Sequence, residues 1–413
     1  MVTLNKKQLI SAVLLATSLS GCSTISDWFA EEEELEIRRL KPIQAQFQVD
    51  EVWSRDVGNG VESYFSRLQP VAVGNVVYVA DRQGKLYALD AASGNVEWEQ
   101  DFATYSDEGF FSGVSKLWSD GETARLSSLS HGNGTLYLGS ENGVLMALNP
   151  ENGEVKWQTT VPGEILAPAA VEGDVVVVNT GSGVMFGINA NTGEELWRSE
   201  SDVPPLSLRG ISTPVAVSGG VMVGTPTGHL KVNVISSGLT AWETAIATPT
   251  GATELERIVD IDSTPLLFAN TVYTVAYNGT LAAVELRSGR VLWKREYGSF
   301  RNVTLSGNTL FVVDTNSNIY ALDRRNGVEI WAQGQIKGRR LTSAVPFGDH
   351  VVVGDNWGYL HWINKQDGSI EARYNLGGDD EDESVFADPL VVNGTLLAMT
   401  REGELAALSP VNQ

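Results

Sequence analysis

One phrase recurs along this chain at intervals of 38 to 59 residues, and it constrains the fold more than any other feature. It is plainest at residues 86–98, LYALDAASGNVEW. The first four residues have strand composition. Asp90 and Ser93 are turn residues whose side chains can bond nearby backbone N–H groups, and Gly94 can take the positive φ of a tight turn. Val96 and Trp98 then resume an alternating pattern on a second strand. Further copies are LMALNPENGEVKW (145–157), MFGINANTGEELW (185–197), LKVNVISSGLTAW (230–242), LAAVELRSGRVLW (281–293) and IYALDRRNGVEIW (319–331). LHWINKQDGSIEA keeps the turn glycine, Gly368, but has Ala372 where tryptophan is expected. An eighth copy, LAALSPVNQ, stops before its glycine. The anchor positions are Asp90, Asn149, Asn189, Val234, Glu285, Asp323, Asn364 and Ser409.

A unit of about 40 residues holding several short strands is a β-propeller blade. In the first unit, residues 71–73, 76–80, 85–90 and 96–102 supply four strands separated by Gly-Asn, Gln-Gly and Ser-Gly turns. Proline lacks an N–H and is best placed at the start of a strand; Pro70, Pro168, Pro214, Pro265, Pro346 and Pro389 are expected to open the first strand of their blades. The truncated eighth copy finds its complement at the other end of the propeller. Asp50-Glu51-Val52-Trp53 reads like Asn95-Val96-Glu97-Trp98. The expected fold is an all-β, eight-bladed propeller of four-stranded antiparallel blades over residues 48–413. The N-terminal strand closes the ring and removes the edges of an open array. Trp53, Trp98, Trp157, Trp197, Trp242, Trp293 and Trp331 are then blade-to-blade packing residues, not a site.

Residues 1–21 are read as a lipoprotein signal peptide. Lys6 and Lys7 form a positive start, residues 9–19 are apolar but too short to span a bilayer, and Leu19-Ser20-Gly21-Cys22 ends the segment. This resembles a bacterial lipoprotein signal, in which the cysteine becomes the acylated N-terminus; Ser23 after it, rather than aspartate, favours the outer membrane by resemblance to bacterial sorting. Cys22 is the only cysteine, which excludes disulfides and argues against a thiol catalyst. Residues 22–47, with the acidic run 31–34 and Pro42, are expected to be a flexible tether from which the propeller needs nothing through residue 45. Removal of the signal leaves 27 basic and 51 acidic residues, net −24. Such a surface repels nucleic acid and anionic headgroups and leaves the lipid as the link to the membrane.

Function should lie in loops that depart from the repeat. Three connections between the last strand of one blade and the first of the next stand out: residues 104–128, with Phe110, Phe111 and Trp118; residues 202–210, DVPPLSLRG; and residues 248–264, with Asp260 and Asp262. The basic segment Lys337-Gly-Arg339-Arg340 lies on the same kind of connection. Pro204 and Pro205 stiffen the second loop, which lowers the entropy of ordering it on a partner. Leu206, Leu208 and Arg209 resemble a small interface anchor. A competing reading tucks the leucines beneath the loop and pairs Arg209 with Asp260 or Asp262. Two carboxylates without loop-motif spacing do not make a calcium site.

The lipoprotein signal, the eight quinoprotein-like repeats, PLSLRG, and DIDSTP followed by AYNGTLAAVELRSGRVLWKRE resemble the BamB family, β-propeller lipoproteins of the outer-membrane β-barrel assembly machinery, the BAM complex. The resemblance covers the whole chain. It implies a non-enzymatic scaffold without cofactor, lipid-anchored at the periplasmic face of the outer membrane. It implies binding to the POTRA domains of BamA, company with other BAM subunits, and help in folding and inserting barrel proteins. Contact with unfolded outer-membrane protein strands is compatible with this. The family's partner-binding positions fall on Leu206, Leu208, Arg209, Asp260 and Asp262. The alternative is a quinoprotein, pyrroloquinoline-quinone-dependent dehydrogenase. Such enzymes commonly carry a vicinal cysteine pair and a calcium site, whereas this chain has no second cysteine, and His131, His229, His350 and His361 lie in unrelated blade contexts. No catalytic, cofactor-binding or metal-binding constellation is assigned.

Cys22→Ala is expected to leave a folded periplasmic protein that fractionates as soluble. Retention in the membrane pellet after a salt wash, or aggregation, would count against a purely tethering role for the lipid.

Overall fold

A computed structural model of the chain describes residue 34 and residues 36–103, 123–377 and 384–411. The signal peptide, Cys22 and most of the 104–128 insertion, including Phe110, Phe111 and Trp118, lie outside the described residues. The described residues form 32 strands in eight separate four-stranded antiparallel sheets. Blade one is β2 (Val71–Val73), β3 (Val76–Ala80), β4 (Lys85–Asp90) and β5 (Val96–Asp101), paired in chain order. Six more blades repeat that order. The last is made from both chain ends: β30 (Leu390–Val392), β31 (Thr395–Met399) and β32 (Glu404–Val411) are completed on the outside by β1 (Gln48–Asp56). In that join Trp53 stands opposite Ala407 and Asp50 opposite Ser409.

The two middle strands of each blade are buried on both faces, and the outer strand alternates in exposure: β3 and β4 are almost wholly buried, while β5 alternates along its second half. Apolar residues of adjacent blades therefore merge into continuous clusters, such as the one joining Tyr78, Leu86 and Ala88 to Leu129, Leu136 and Met146. At about 25 cal/mol per Å² of apolar area, this side-to-side burial is the main term holding the ring. No blade has it alone.

Each motif tryptophan reaches across to the next blade. The indole N–H of Trp53 donates to the carbonyl of Ala91 at 3.1 Å, and Trp98 donates to Pro150 at 3.0 Å. Trp157, Trp197, Trp242, Trp293 and Trp331 donate in the same way to Ala190, Ile235, Leu286, Arg324 and Lys365. The acceptor is always the residue after the anchor, in the turn. The indole ring lies on the turn glycine. A Cβ on Gly94 would come within 2.6 Å of the Trp53 ring, and the residue also has φ +68°. Glycine is thus required twice there, by backbone conformation and by close approach.

Blade seven resolves the Ala372 exception. In most other blades alanine or glycine stands opposite the tryptophan, as Ala88 does to Trp98 and Ala321 to Trp331, and blade four has Val232 there. In blade seven the pair is inverted, with Trp362 opposite Ala372. Both are buried, and Trp362 packs with Leu376, Leu396, Ala406 and Leu408. The bulk has moved one strand inward.

Two expectations need correction. Pro70, Pro214, Pro265 and Pro389 immediately precede their strands and Pro168 stands two residues ahead, but Pro346 lies inside Val345–Phe347, on the innermost strand. Its free side faces the central channel, so the missing N–H leaves no gap in the ladder. Residues 36–47 are not a free tether. Arg339 Nη1 donates to the carbonyls of Ile37 and Arg38, both at 2.8 Å, and Arg373 Nη1 donates to Lys41 at 2.6 Å. Leu40 and Ile43 pack on the core between blades six and seven. Behind them Arg339 Nε meets Asp355 at 2.5 Å, and His361 Nε2 lies 2.9 Å from the same carboxylate oxygen, all three side chains being buried. Arg339 is therefore internal, and the 337–340 segment is not an exposed basic patch. Asp355 stays ionised although it is buried: burial works against the carboxylate, and the hydrogen bond to His361 with the charge and bond of Arg339 outweighs it, while burial lowers the pKa of His361 itself.

A truncation series tests both ring closure and this docking. Removal of residues 1–33 is expected to leave the melting temperature unchanged. Removal of 1–47 should lower it by a few degrees. Removal of 1–55, which takes most of β1 and Trp53, should cost at least the 3–5 kcal/mol of a buried aromatic deletion. Equal melting temperatures for all three would overturn the closure.

Candidate functional site

The blade-to-blade connections emerge on one face, and the loops at 202–210 and 248–264 come from consecutive blades. The structure brings them together. Asp260 Oδ2 accepts the backbone N–H of Leu208 at 2.6 Å. The Asp262 carboxylate lies directly under Gly210, where a Cβ would come within 2.0 Å of it. Gly210 is therefore fixed by close approach, not by an unusual φ. Ser212 and Ser263 extend the seam inward: the Ser212 hydroxyl donates to the Ser263 carbonyl at 2.9 Å.

The five candidate residues divide into two layers. Asp260 and Asp262 are 1 % and 4 % exposed. Leu206 is 39 % exposed, Leu208 is half-buried and Arg209 is exposed. The aspartates are supports; the tip of the loop is the surface. Neither reading of the sequence anticipated where Arg209 turns. It does not pair with Asp260 or Asp262. It reaches the other way, to Glu164 Oε1 at 3.3 Å and Glu141 Oε2 at 3.4 Å. Both glutamates come from blade two and its exit loop, and single-sequence periodicity carries no signal for such a pairing. Glu141 is already held by Arg82 through two bonds of 2.9 Å, and Arg82 stacks over the Tyr64 ring at 3.6 Å. Burial disfavours the Glu141 carboxylate, but the Arg82 bonds and the charges of Arg82 and Arg209 outweigh it and hold its pKa low. The Arg82–Glu141 pair is rigid and desolvated. The Arg209 contacts are long and half-exposed, and such pairs contribute about 0–1 kcal/mol.

The aspartate layer is electrostatically uncomfortable. Burial, and then the charge of Asp262, push Asp260 up to about 7, with the Leu208 N–H pulling the other way. Burial also raises Asp262, offset by the positive charge of Arg67 in the central channel. Asp260 Oδ1 has no hydrogen-bond partner among the described residues. Among the described residues no group of three or more His, Cys, Asp or Glu is placed to share a metal ion. No described helix is long and apolar enough to cross a membrane.

The family profile described as "Outer membrane protein assembly factor BamB" matches residues 112–333, and that of "Glucose/ethanol/alcohol dehydrogenase, beta-propeller domain" matches 45–156. A relative from Alteromonas naphthalenivorans, named outer membrane protein assembly factor BamB, is 58 % identical over 96 % of this chain and 95 % of its own. The protein of that name from Escherichia coli K12 is 36 % identical over 98 % of this chain and 99 % of its own. The crystal structure of BamB from Moraxella catarrhalis superposes with a TM-score of 0.72 at 24 % identity, covering 88 % of this chain and all of that one. A quinohemoprotein alcohol dehydrogenase from Comamonas testosteroni superposes at 0.63 with 13 % identity, over 90 % of this chain and 78 % of that one, a likeness of fold alone.

The buried aspartate pair gives a pH signature. Asp260 keeps its proton in the folded chain up to about 7, whereas the unfolded chain loses it near 3.8. Between those values the folded state binds the extra proton, so stability falls as pH rises through the window. Asp260→Asn retains an acceptor for the Leu208 N–H and has no proton to lose. The variant should melt above the parent at pH 8 by several degrees, the gap corresponding to a few kcal/mol at about 1.36 kcal/mol per pKa unit. The gap should close towards pH 4. A gap independent of pH would overturn the assignment.

Proposed function

The chain belongs to the family of outer membrane protein assembly factor BamB, and from that premise we propose that it is a non-enzymatic scaffold subunit of the outer-membrane β-barrel assembly machinery. It docks on the POTRA domains of BamA, alongside other BAM subunits, and assists folding and insertion of barrel proteins. Acylated Cys22 holds it at the periplasmic face of the outer membrane. The observation that carries the docking site is the 204–210 loop: an exposed leucine and an exposed arginine at its tip, with the backbone beneath fastened to a buried carboxylate.

Physical chemistry supports this assignment in three ways. Two prolines and the Leu208–Asp260 bond fix the loop before any partner arrives, so little conformational entropy remains to be lost on binding. Leu206 offers an apolar surface, and Arg209 can leave its weak contacts with Glu141 and Glu164 for a partner carboxylate at small cost. Arginine among apolar neighbours at the centre of a patch is the composition of an interface hot spot. Asp260 and Asp262 act in this reading as positioning residues that hold the loop and do not touch the partner.

Leu208→Ala combined with Arg209→Ala is expected to weaken capture of purified BamA POTRA domains at least thirtyfold, about 2 kcal/mol. The melting temperature should stay within a few degrees of the parent. Asp260→Ala should weaken capture less and lower stability as well, because it frees the loop without removing its contact atoms. Parental affinity in the folded double variant would place the partner face elsewhere.

A further inference from the structure

The channel at the centre of the ring opens into a cavity of 380 Å³ on the face that carries these loops. Its wall comes from the connections that lead into the innermost strands, including Phe65 and Arg67 before blade one, Phe300 and Arg301 before blade six, and Phe386 and Asp388 before blade eight. Two guanidinium groups face the cavity, and their partners are few. Arg67 makes no hydrogen bond to any described residue. Arg301 makes one, from Nη1 to the Phe386 carbonyl at 3.3 Å, and its buried Nε has none. Neither forms an ion pair within 4 Å of a described carboxylate. Asp388 is close, but its oxygens are taken by neutral donors: the Ser343 backbone N–H at 2.8 Å and the Asn302 side-chain amide at 3.0 Å. The ring of Phe386 is shared by Arg301 at 4.8 Å and Arg401 at 5.0 Å, and Phe65 meets it edge-on with centroids 5.9 Å apart. Arg401 is engaged with the backbone carbonyls of Glu62 and Tyr64.

Confined cations without a directly paired carboxylate are expensive. Burial lowers the pKa of both arginines, Arg301 to about 10, with Asp388 opposing the shift and Arg67 adding to it. In a chain of net charge −22 this concentration of positive charge at the channel mouth is a local reversal. The acidic groups around it are Asp388 and, behind Arg67, Asp262, whose carboxyl burial biases to the neutral form.

We propose that the channel mouth is a binding site for a small aromatic monocarboxylate. Asp388 spends its oxygens on neutral donors, so guanidinium N–H groups of Arg67 and Arg301 remain for an incoming anion. The planar fork of arginine matches the two oxygens of a carboxylate. The three phenylalanines supply an apolar wall for the ring to which it is attached. The volume falls within the range of about 300–1,000 Å³ of ordinary small-ligand pockets.

The test is calorimetric titration of the mature protein with benzoate, with inorganic phosphate in a parallel arm. Benzoate should bind saturably with a Kd on the order of 1 mM, about 4 kcal/mol, and more tightly than phosphate. Arg301→Met and Arg67→Met should each weaken benzoate at least tenfold, and Arg301→Lys, which keeps charge but not the fork, by a smaller factor. The unliganded Met variants should melt at or above the parent, because a desolvated charge has been removed. Should either Met variant fail to fold, Arg301→Lys and Arg67→Gln provide the same comparison. The proposal is overturned by absence of saturable benzoate binding, by phosphate binding the tighter of the two, or by benzoate affinity unchanged in folded variants. A fall in melting temperature with unchanged benzoate affinity also overturns it, assigning the arginines to internal cross-linking.

Discussion

The fold depends on one repeated contact, an indole laid on the turn glycine of the next blade with its N–H on a turn carbonyl. The contact places two demands, a glycine in the left-handed region on one blade and a tryptophan on the outer strand of its neighbour, and in most blades alanine or glycine stands opposite that tryptophan. A ring of such joints has no free terminus, so every blade is held from both sides. The joint between blades seven and eight cannot follow the rule, because the third and outer strands of blade eight arrive from opposite ends of the chain and no turn glycine links them. There the tryptophan sits one strand further in, at Trp362, and Ala372 takes the small position. The exception is caused by ring closure itself.

This explains which features the sequence made legible. Blade number, strand order and closure are properties of a repeat, and each copy confirms the others. The docking of residues 36–47 was hidden because it occurs once. An acidic run followed by Pro42 has the composition of a spacer. The relevant signal was the apolar set Ile37, Leu40 and Ile43, spaced at three residues beside that run, together with Arg339, a cation whose internal counterpart Asp355 lies on the neighbouring turn. Nothing local connects residues separated by some 300 positions. Trp362 was visible as a tryptophan two positions before its anchor, but its role needed the cross-strand register.

The candidate site was half legible for the same reason. The two loops could be placed side by side because they leave consecutive blades, and Leu208 does lie on Asp260. Side-chain direction could not be read. Both sequence readings aimed Arg209 at the aspartates or at a partner, and the glutamates that it meets belong to blade two. What the aspartates hold is a backbone N–H. That distinction changes their chemistry: a carboxylate beneath an amide can be protonated and still accept the bond, whereas one paired with arginine would be locked in its ionised form.

Charge explains why this face of an acidic molecule can be selective. Its arginines are in different states of engagement. Arg82 is committed to Glu141 and stacked on Tyr64, and Arg339 is committed to Asp355 and the docked N-terminal segment. Arg67 and Arg301 point into a cavity where their ordinary solvation is curtailed. Arg209 alone of these five stands half in solvent with only long contacts. Within a Debye length of about 8 Å at physiological salt, an approaching surface senses mainly such exposed charge. The committed pairs set the shape on which Arg209 is displayed, and the surrounding acidic surface disfavours acidic partners everywhere else. Rigidity of the ring and specificity of the loop are therefore separable: the first rests on tryptophan joints that face neighbouring blades, the second on a few side chains that those joints leave free.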